Sequence, residues 1–255
     1  MIPGMLTALL LASSQPSAPP PPPLRWSRVS VRHDRKPLLS NAHVEAHAGR
    51  LLAVLGPSGA GKTTLLHALA GTTPHHGRKR LEGDCEHDTL EPSRVAMLAQ
   101  SESFFGMLTV RETIALAAAL QPASVESAGG DAHRVDALLQ TLGLADVADS
   151  RVGDATHRGI SGGERRRLAV GCELLGEPAL LIADEPTTGL DTYQAERIVR
   201  LVKHTAASRG IPAIATLHQP RSSIWSALDD VLVRADDVMT CLMTCWCALM
   251  TSDGV

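Results

Sequence analysis

Residues 51–55, Leu-Leu-Ala-Val-Leu, run straight into Gly56-Pro57-Ser58-Gly59-Ala60-Gly61-Lys62-Thr63-Thr64. A short apolar run closed by glycine suits a strand buried on both faces of a parallel sheet. The glycines let the backbone curl around an anion with no side chain in the way. Successive N–H groups then form an anion-binding nest. A helix expected over residues 63–70 adds the positive end of its dipole. Strand, glycine loop and helix in this order match G-x-x-x-x-G-K-[ST], the phosphate-loop pattern. In such a loop the lysine, here Lys62, reaches the β- and γ-phosphates, and the hydroxyl of Thr63 ligates Mg²⁺. The loop alone does not separate transport ATPases from GTPases, kinases or helicases.

A second apolar run, residues 179–183, ends in Asp184 and Glu185. Expected beside the phosphate-loop strand, Asp184 is placed to hold Mg²⁺ through water, and Glu185 to polarise an attacking water as general base. Around these two runs the pattern alternates. Residues 26–31 and 43–47 read as strands, and 212–217 as a third buried strand. Residues 110–120, 132–142 (stopped at Gly143), 163–175 and 194–207 read as helices, with a short one at 224–228. Strands alternating with helices predict an α/β fold with a mainly parallel sheet. The segment from about 101 to 163 shows helices and no convincing strand, so it reads as an inserted helical subdomain.

Composition narrows the partners. The 255 residues suffice for one large α/β domain. Aromatics are 2%, so Leu, Ala, Val and Ile must build the core. With Lys+Arg 24 against Asp+Glu 27 the net charge is −3, and no basic stripe suggests nucleic acid. No apolar run is long enough for a transmembrane helix. Residues 1–24 form a leader: an apolar stretch without preceding Lys or Arg, then a Pro-rich run, read either as a targeting segment or as an unstructured tail. Residues 234–255 are an atypical tail in which the helix and strand pattern fades. There Cys241, Cys245 and Cys247 lack a fourth neighbouring ligand for a metal. His75 and His76 read as solvated loop residues.

Ile160-Ser161-Gly162-Gly163-Glu164 resembles the L-S-G-G-Q signature of ATP-binding cassette (ABC) proteins. Ser161 and the N–H groups of Gly162 and Gly163 open a helix, a phosphate-binding arrangement. Other pieces fall in that family's order. Gln100 resembles its Q-loop glutamine. Asp184-Glu185-Pro186-Thr187 resembles the continuation of Walker B, Gly189-Leu190-Asp191 the D-loop, and His218 the switch histidine. The resemblance covers residues 25–233. Glu164 followed by Arg165-Arg166-Arg167, Leu108-Thr109-Val110-Arg111-Glu112, and His218-Gln219-Pro220-Arg221 are similar to the G group of white-type half transporters.

The resemblance implies a P-loop NTPase, RecA-like core with an N-terminal antiparallel β part. It implies ATP and Mg²⁺ as ligands, with the metal held by Thr63, Gln100 and Asp184. Lys62, Glu185 and His218 take the catalytic roles. Ser161, Gly162, Gly163, Glu164 and Asp191 serve a site shared with a second nucleotide-binding domain, head to tail. His33 stands where the family stacks adenine on an aromatic ring. The expected output is transport of a lipid or other hydrophobic compound from the cytoplasmic face of a membrane. The transmembrane domain is not encoded in this chain, as in a fragment, a splice form or a faulty gene model. The alternatives are a non-catalytic or regulatory cassette subunit and a soluble cassette ATPase not coupled to transport.

Overall fold

A computed structural model describes residues 21–33, 36–72, 79–85, 90–100, 103–121, 130–154, 156–235 and 238–242. Most of the leader, His75, His76, Cys245 and Cys247 lie outside these residues, as does the side chain of His33.

Two sheets organise the chain. The smaller is antiparallel: β1 (Leu24–His33) lies between β2 (Lys36–Ala46) and β4 (Lys79–Cys85). The larger contains β3 (Leu51–Leu55), β5 (Val95–Leu98), β6 (Leu180–Ala183), β7 (Ala213–Leu217), β8 (Asp230–Ala235) and β9 (Val238–Leu242) in the order β5-β6-β7-β3-β8-β9. The first five strands of that order are mutually parallel, and β9 closes one edge antiparallel to β8.

The central strands are buried on both faces, as their apolar sequences, interrupted only by Thr216, require. Their alternation divides the core. Leu52, Val54, Leu180 and Ile182 face one side, with Leu65, Leu66 and Leu69 of α1 (Lys62–Leu69) and the inner residues of β1 and β2. Leu51, Ala53, Leu181 and Ala183 face the other, against α4 (Gly162–Leu174) and α5 (Thr192–Arg209). A third cluster lies apart from the sheet. It joins Val110 and Ile114 of α2 (Val110–Ala119), Val135, Leu139 and Leu142 of α3 (Gly130–Leu142), and Leu168 of α4. This is the helical insertion, and α4 carries it back to the sheet. The short α6 (Ser222–Trp225) packs on α5. No helix among the described residues is long and apolar enough to cross a membrane.

Three expectations need correction. β6 is not beside the phosphate-loop strand: β7 lies between them. The strand pattern does not fade at residue 234. β8 ends at Ala235 and β9 follows, because main-chain pairing with β3 and β8 tolerates Asp, Arg, Thr and Cys where a periodicity reading does not. The short helix closes at Trp225, earlier than residues 224–228. β4 and β5 were also illegible as strands, one being charged and the other only four residues long.

Candidate active site

Lys62, Gln100, Asp184, Glu185 and His218 come from four different strands, β3, β5, β6 and β7, yet each follows the C-terminal end of its strand. Parallel pairing enforces this. Register pairs Leu55 with Leu217, Leu98 with Ala183, and Ala183 with Ala215, so β3 and β7 finish level, β5 and β6 finish level two residues earlier, and the residues that follow share one edge. That edge is where open α/β sheets bind ligands.

At the phosphate loop, Gly59 and Gly61 have φ of +79° and +80°, which a side chain would oppose. A Cβ on Gly59 would meet nothing within 4 Å, so its requirement is conformational, not steric. Gly61 precedes α1 as its N-cap without any side-chain bond. Lys62 opens the helix and is 6% exposed. Its ammonium donates to the carbonyls of Gly56 at 3.0 Å and Pro57 at 3.1 Å, which folds the side chain back over the loop. Pro57, Ser58 and Thr63 are exposed, and Ala60 and Thr64 half-buried.

Asp184 is buried at the end of β6. Its Oδ1 accepts the Thr216 hydroxyl at 2.7 Å, and its N–H donates to the Leu98 carbonyl at 2.8 Å. Thr216 also accepts from the Glu185 N–H at 2.7 Å. One fully buried hydroxyl on β7 thus holds the carboxylate of the first acid and the backbone of the second. Glu185 adopts φ of +44°, a left-handed conformation rare for a residue with a side chain. Its Oε2 accepts from Gln100 Nε2 and from the Thr188 hydroxyl, each at 3.0 Å. The expected base and the expected Q-loop residue are therefore in direct contact. His218 follows β7 and is exposed, and the next residue, Gln219, is again left-handed at +44°.

The signature residues stand elsewhere. Ser161 caps α4 in a reciprocal box: the Glu164 N–H donates to its hydroxyl at 3.3 Å, while its own N–H and hydroxyl donate to Glu164 Oε2 at 2.7 Å. Burial opposes the charge on Glu164, but the Ser161 hydroxyl and N–H, with Arg167 and Arg197 nearby, keep its pKa below the usual glutamate value. Asp191 caps α5, accepting from Gln194 N–H at 2.9 Å. Among the described residues no hydrogen bond joins Ser161, Gly162, Gly163, Glu164 or Asp191 to the phosphate loop of the same chain. His33 ends β1, paired with Lys36 and Lys79.

Sequence reasoning missed Thr216, Thr188 and Arg166. A lone hydroxyl within the apolar run 213–217 was the available signal for Thr216. Arg166 stood out only as part of an arginine run.

Comparison with known proteins agrees with this geometry. A family model described as ABC transporter matches residues 39–188. The chain is 42% identical over 226 residues to ABC transporter G family member 7 of Arabidopsis thaliana, covering 85% of this chain and 31% of that protein. With G family member 6 of the same plant it shares 40% over 200 residues, 77% of this chain and 27% of the relative. It is also 38% identical over 218 residues to an uncharacterized ABC transporter ATP-binding protein/permease of Saccharomyces cerevisiae, 77% of this chain and 17% of that protein. The chain spans less than a third of the length of these relatives. Matched family, matched relatives and site geometry lead to one assignment: the chain belongs to the ABC transporter family and, within it, is a nucleotide-binding domain of the G subfamily.

Proposed function

We propose that this chain hydrolyses Mg-ATP at a site shared head to tail with a second cassette, and that the hydrolysis powers transmembrane transport. The observation that carries the hydrolytic reading is the Glu185 carboxylate, held by Gln100 and Thr188 on the sheet edge that also bears Lys62 and Asp184. A non-catalytic subunit has no use for an acid fixed by two donors on a strained backbone.

In this reading the backbone N–H groups of residues 56–64 and the Lys62 ammonium bind the phosphates. Thr63, Gln100 and Asp184 form an all-oxygen donor set of the hard kind that Mg²⁺ takes. These residues would hold the ion, which would supply neutralisation of the phosphate charge. Glu185 orients the attacking water and accepts its proton. His218, beside it on the next strand, contacts the γ-phosphate. Ser161, Gly162 and Gly163 present hydroxyl and N–H donors at the start of α4 to the nucleotide of the second cassette, and Asp191 lies along the seam between the two. That cassette is a second copy of this chain or a different nucleotide-binding domain. Residues 25–233 act as the ATPase unit and about 101–163 as its helical subdomain. The membrane-spanning partner binds at the cytoplasmic face, and the transported class is a lipid or other hydrophobic compound.

The test is Glu185→Gln in the purified chain. ATP turnover falls by about 100-fold or more, the order expected for removing a general base, while nucleotide affinity stays within about threefold. A variant that turns over ATP at the wild-type rate contradicts the role given to Glu185.

A further inference from the structure

Arg166 is 5% exposed, and among the described residues its guanidinium donates to four backbone carbonyls. Nε donates to Pro186 at 3.1 Å, Nη1 to Ala99 at 2.7 Å, and Nη2 to Asp184 at 3.3 Å and Glu185 at 3.1 Å. These carbonyls lie just past the ends of β5 and β6, where the ladder between the two strands stops at Leu98 and Ala183. Beyond that point the chain continues to Gln100 on one side and Glu185 on the other, and the guanidinium ties the two segments together. A planar fork of fixed donors suits this task; an ammonium on a flexible stem does not.

The arginine's own position gives the tie its meaning. Arg166 sits on α4 two residues past Glu164, so about 7 Å of helix separates it from Ser161. Its neighbours anchor the same helix in other directions. Arg165 Nη2 donates to the carbonyls of Val152 at 3.0 Å and Gly153 at 2.7 Å, in the helical insertion. Arg167 Nη1 donates to Gln194 Oε1 at 3.0 Å, on the helix capped by Asp191. Three consecutive arginines thus hold the signature helix to three separate bodies. Only Arg166 reaches the residues of this chain's own catalytic edge.

We infer that Arg166 is a positioning residue that locks the Gln100 and Glu185 loops to the signature helix, so that seating this helix on the second cassette's nucleotide also sets this chain's own base. The inference rests on the proposed hydrolytic function. Glu185 needs such support: its left-handed backbone persists only where surrounding bonds over-determine it. Arg166 takes its carbonyl, Thr216 its N–H, and Gln100 and Thr188 its carboxylate.

The experiment compares Arg166→Lys and Arg166→Ala with wild type in the full chain. Both lose about 100-fold in kcat, the scale of a roughly 1 Å misplacement of a reacting group, with KM for ATP within about threefold. Millimolar ethylguanidinium restores kcat to Arg166→Ala and not to Arg166→Lys, whose stem fills the space. Hydrogen exchange, read without nucleotide, quickens at the Asp184 and Glu185 amides in both variants and is unchanged in α1. A kcat within threefold of wild type in Arg166→Lys overturns the inference. So does a loss of exchange protection spread evenly through α1, which marks a merely structural role. If wild type itself fails to hydrolyse ATP, the functional reading falls, and exchange alone decides: unaltered protection at Asp184 and Glu185 in both variants overturns the clamp as well.

Discussion

Thr216 shows how much a single hydroxyl carries. It donates to Asp184 and accepts from Glu185 while fully buried on β7. Thr216→Val keeps the shape and removes both bonds, leaving a buried carboxylate oxygen and an N–H without partners. A stability loss of about 2 kcal/mol is expected in urea unfolding, the usual cost of orphaned buried polar groups. ATP turnover should fall more than nucleotide affinity, because both acids shift and the phosphate loop does not. Equal losses in the two would contradict that division. At this scale the sequence was only partly legible. Lys62, Asp184 and Glu185 stood out by type and spacing, since phosphate and metal chemistry restricts what stands there, whereas His218 stood out only through the family resemblance. Thr216 and Arg166 did not, because their partners, one carboxylate and several backbone groups, belong to residues distant in sequence. The left-handed turn at Glu185 was equally hidden, for a glutamate carries no sign of positive φ.

Elements show a similar contrast. β3, β6 and β7 were legible as buried strands because both faces are covered and the sequence is apolar but for Thr216. β8 was not, since it begins with the buried Asp230, whose carboxylate accepts from Arg50 Nε at 2.8 Å and Nη2 at 2.7 Å. That fork fixes β8 beside the start of β3. Asp230→Ala should destabilise the chain by about 2 kcal/mol, as for loss of charge-assisted bonds, measurable by thermal or urea unfolding. No change would mean that β3–β8 pairing alone sets the edge. Glu173 on α4 predicts a pH effect of opposite sign to most acids. Burial raises its pKa above 4.5, and the Met97 N–H bond offsets this only in part. An acid whose pKa is raised by folding favours the native state while protonated and opposes it once ionised, so its penalty grows as pH rises from about 4.5 through the folded value. Glu173→Gln keeps an acceptor for Met97 and removes the charge. Its melting temperature should exceed wild type at pH 7 and converge with it near pH 4. A gain that is equal at both pH values would contradict the burial argument.

For the whole molecule, the separation of the two halves of the site matters most. Phosphate loop and acids line one edge of the sheet, while the signature residues close a capping box at the start of α4, whose Arg167 bonds Gln194 of α5. The layered α/β plan was legible from the order of runs, because periodicity reports burial. The strand order was not: periodicity is blind to which strand lies next to which, and β7 between β3 and β6 had to come from the fold. In the proposed shared site, the phosphate loop and the signature, which do not bond each other within the chain, are each completed by a second cassette. Glu185→Gln should therefore accumulate as an ATP-dependent dimer in light scattering, and added Ser161→Arg should prevent it. The most direct measurement is the specific ATPase activity of the wild-type chain as its concentration is raised across the dimerisation range. The account predicts activity per chain that climbs with concentration and then levels off; activity per chain that is constant down to the lowest concentration would contradict a shared site.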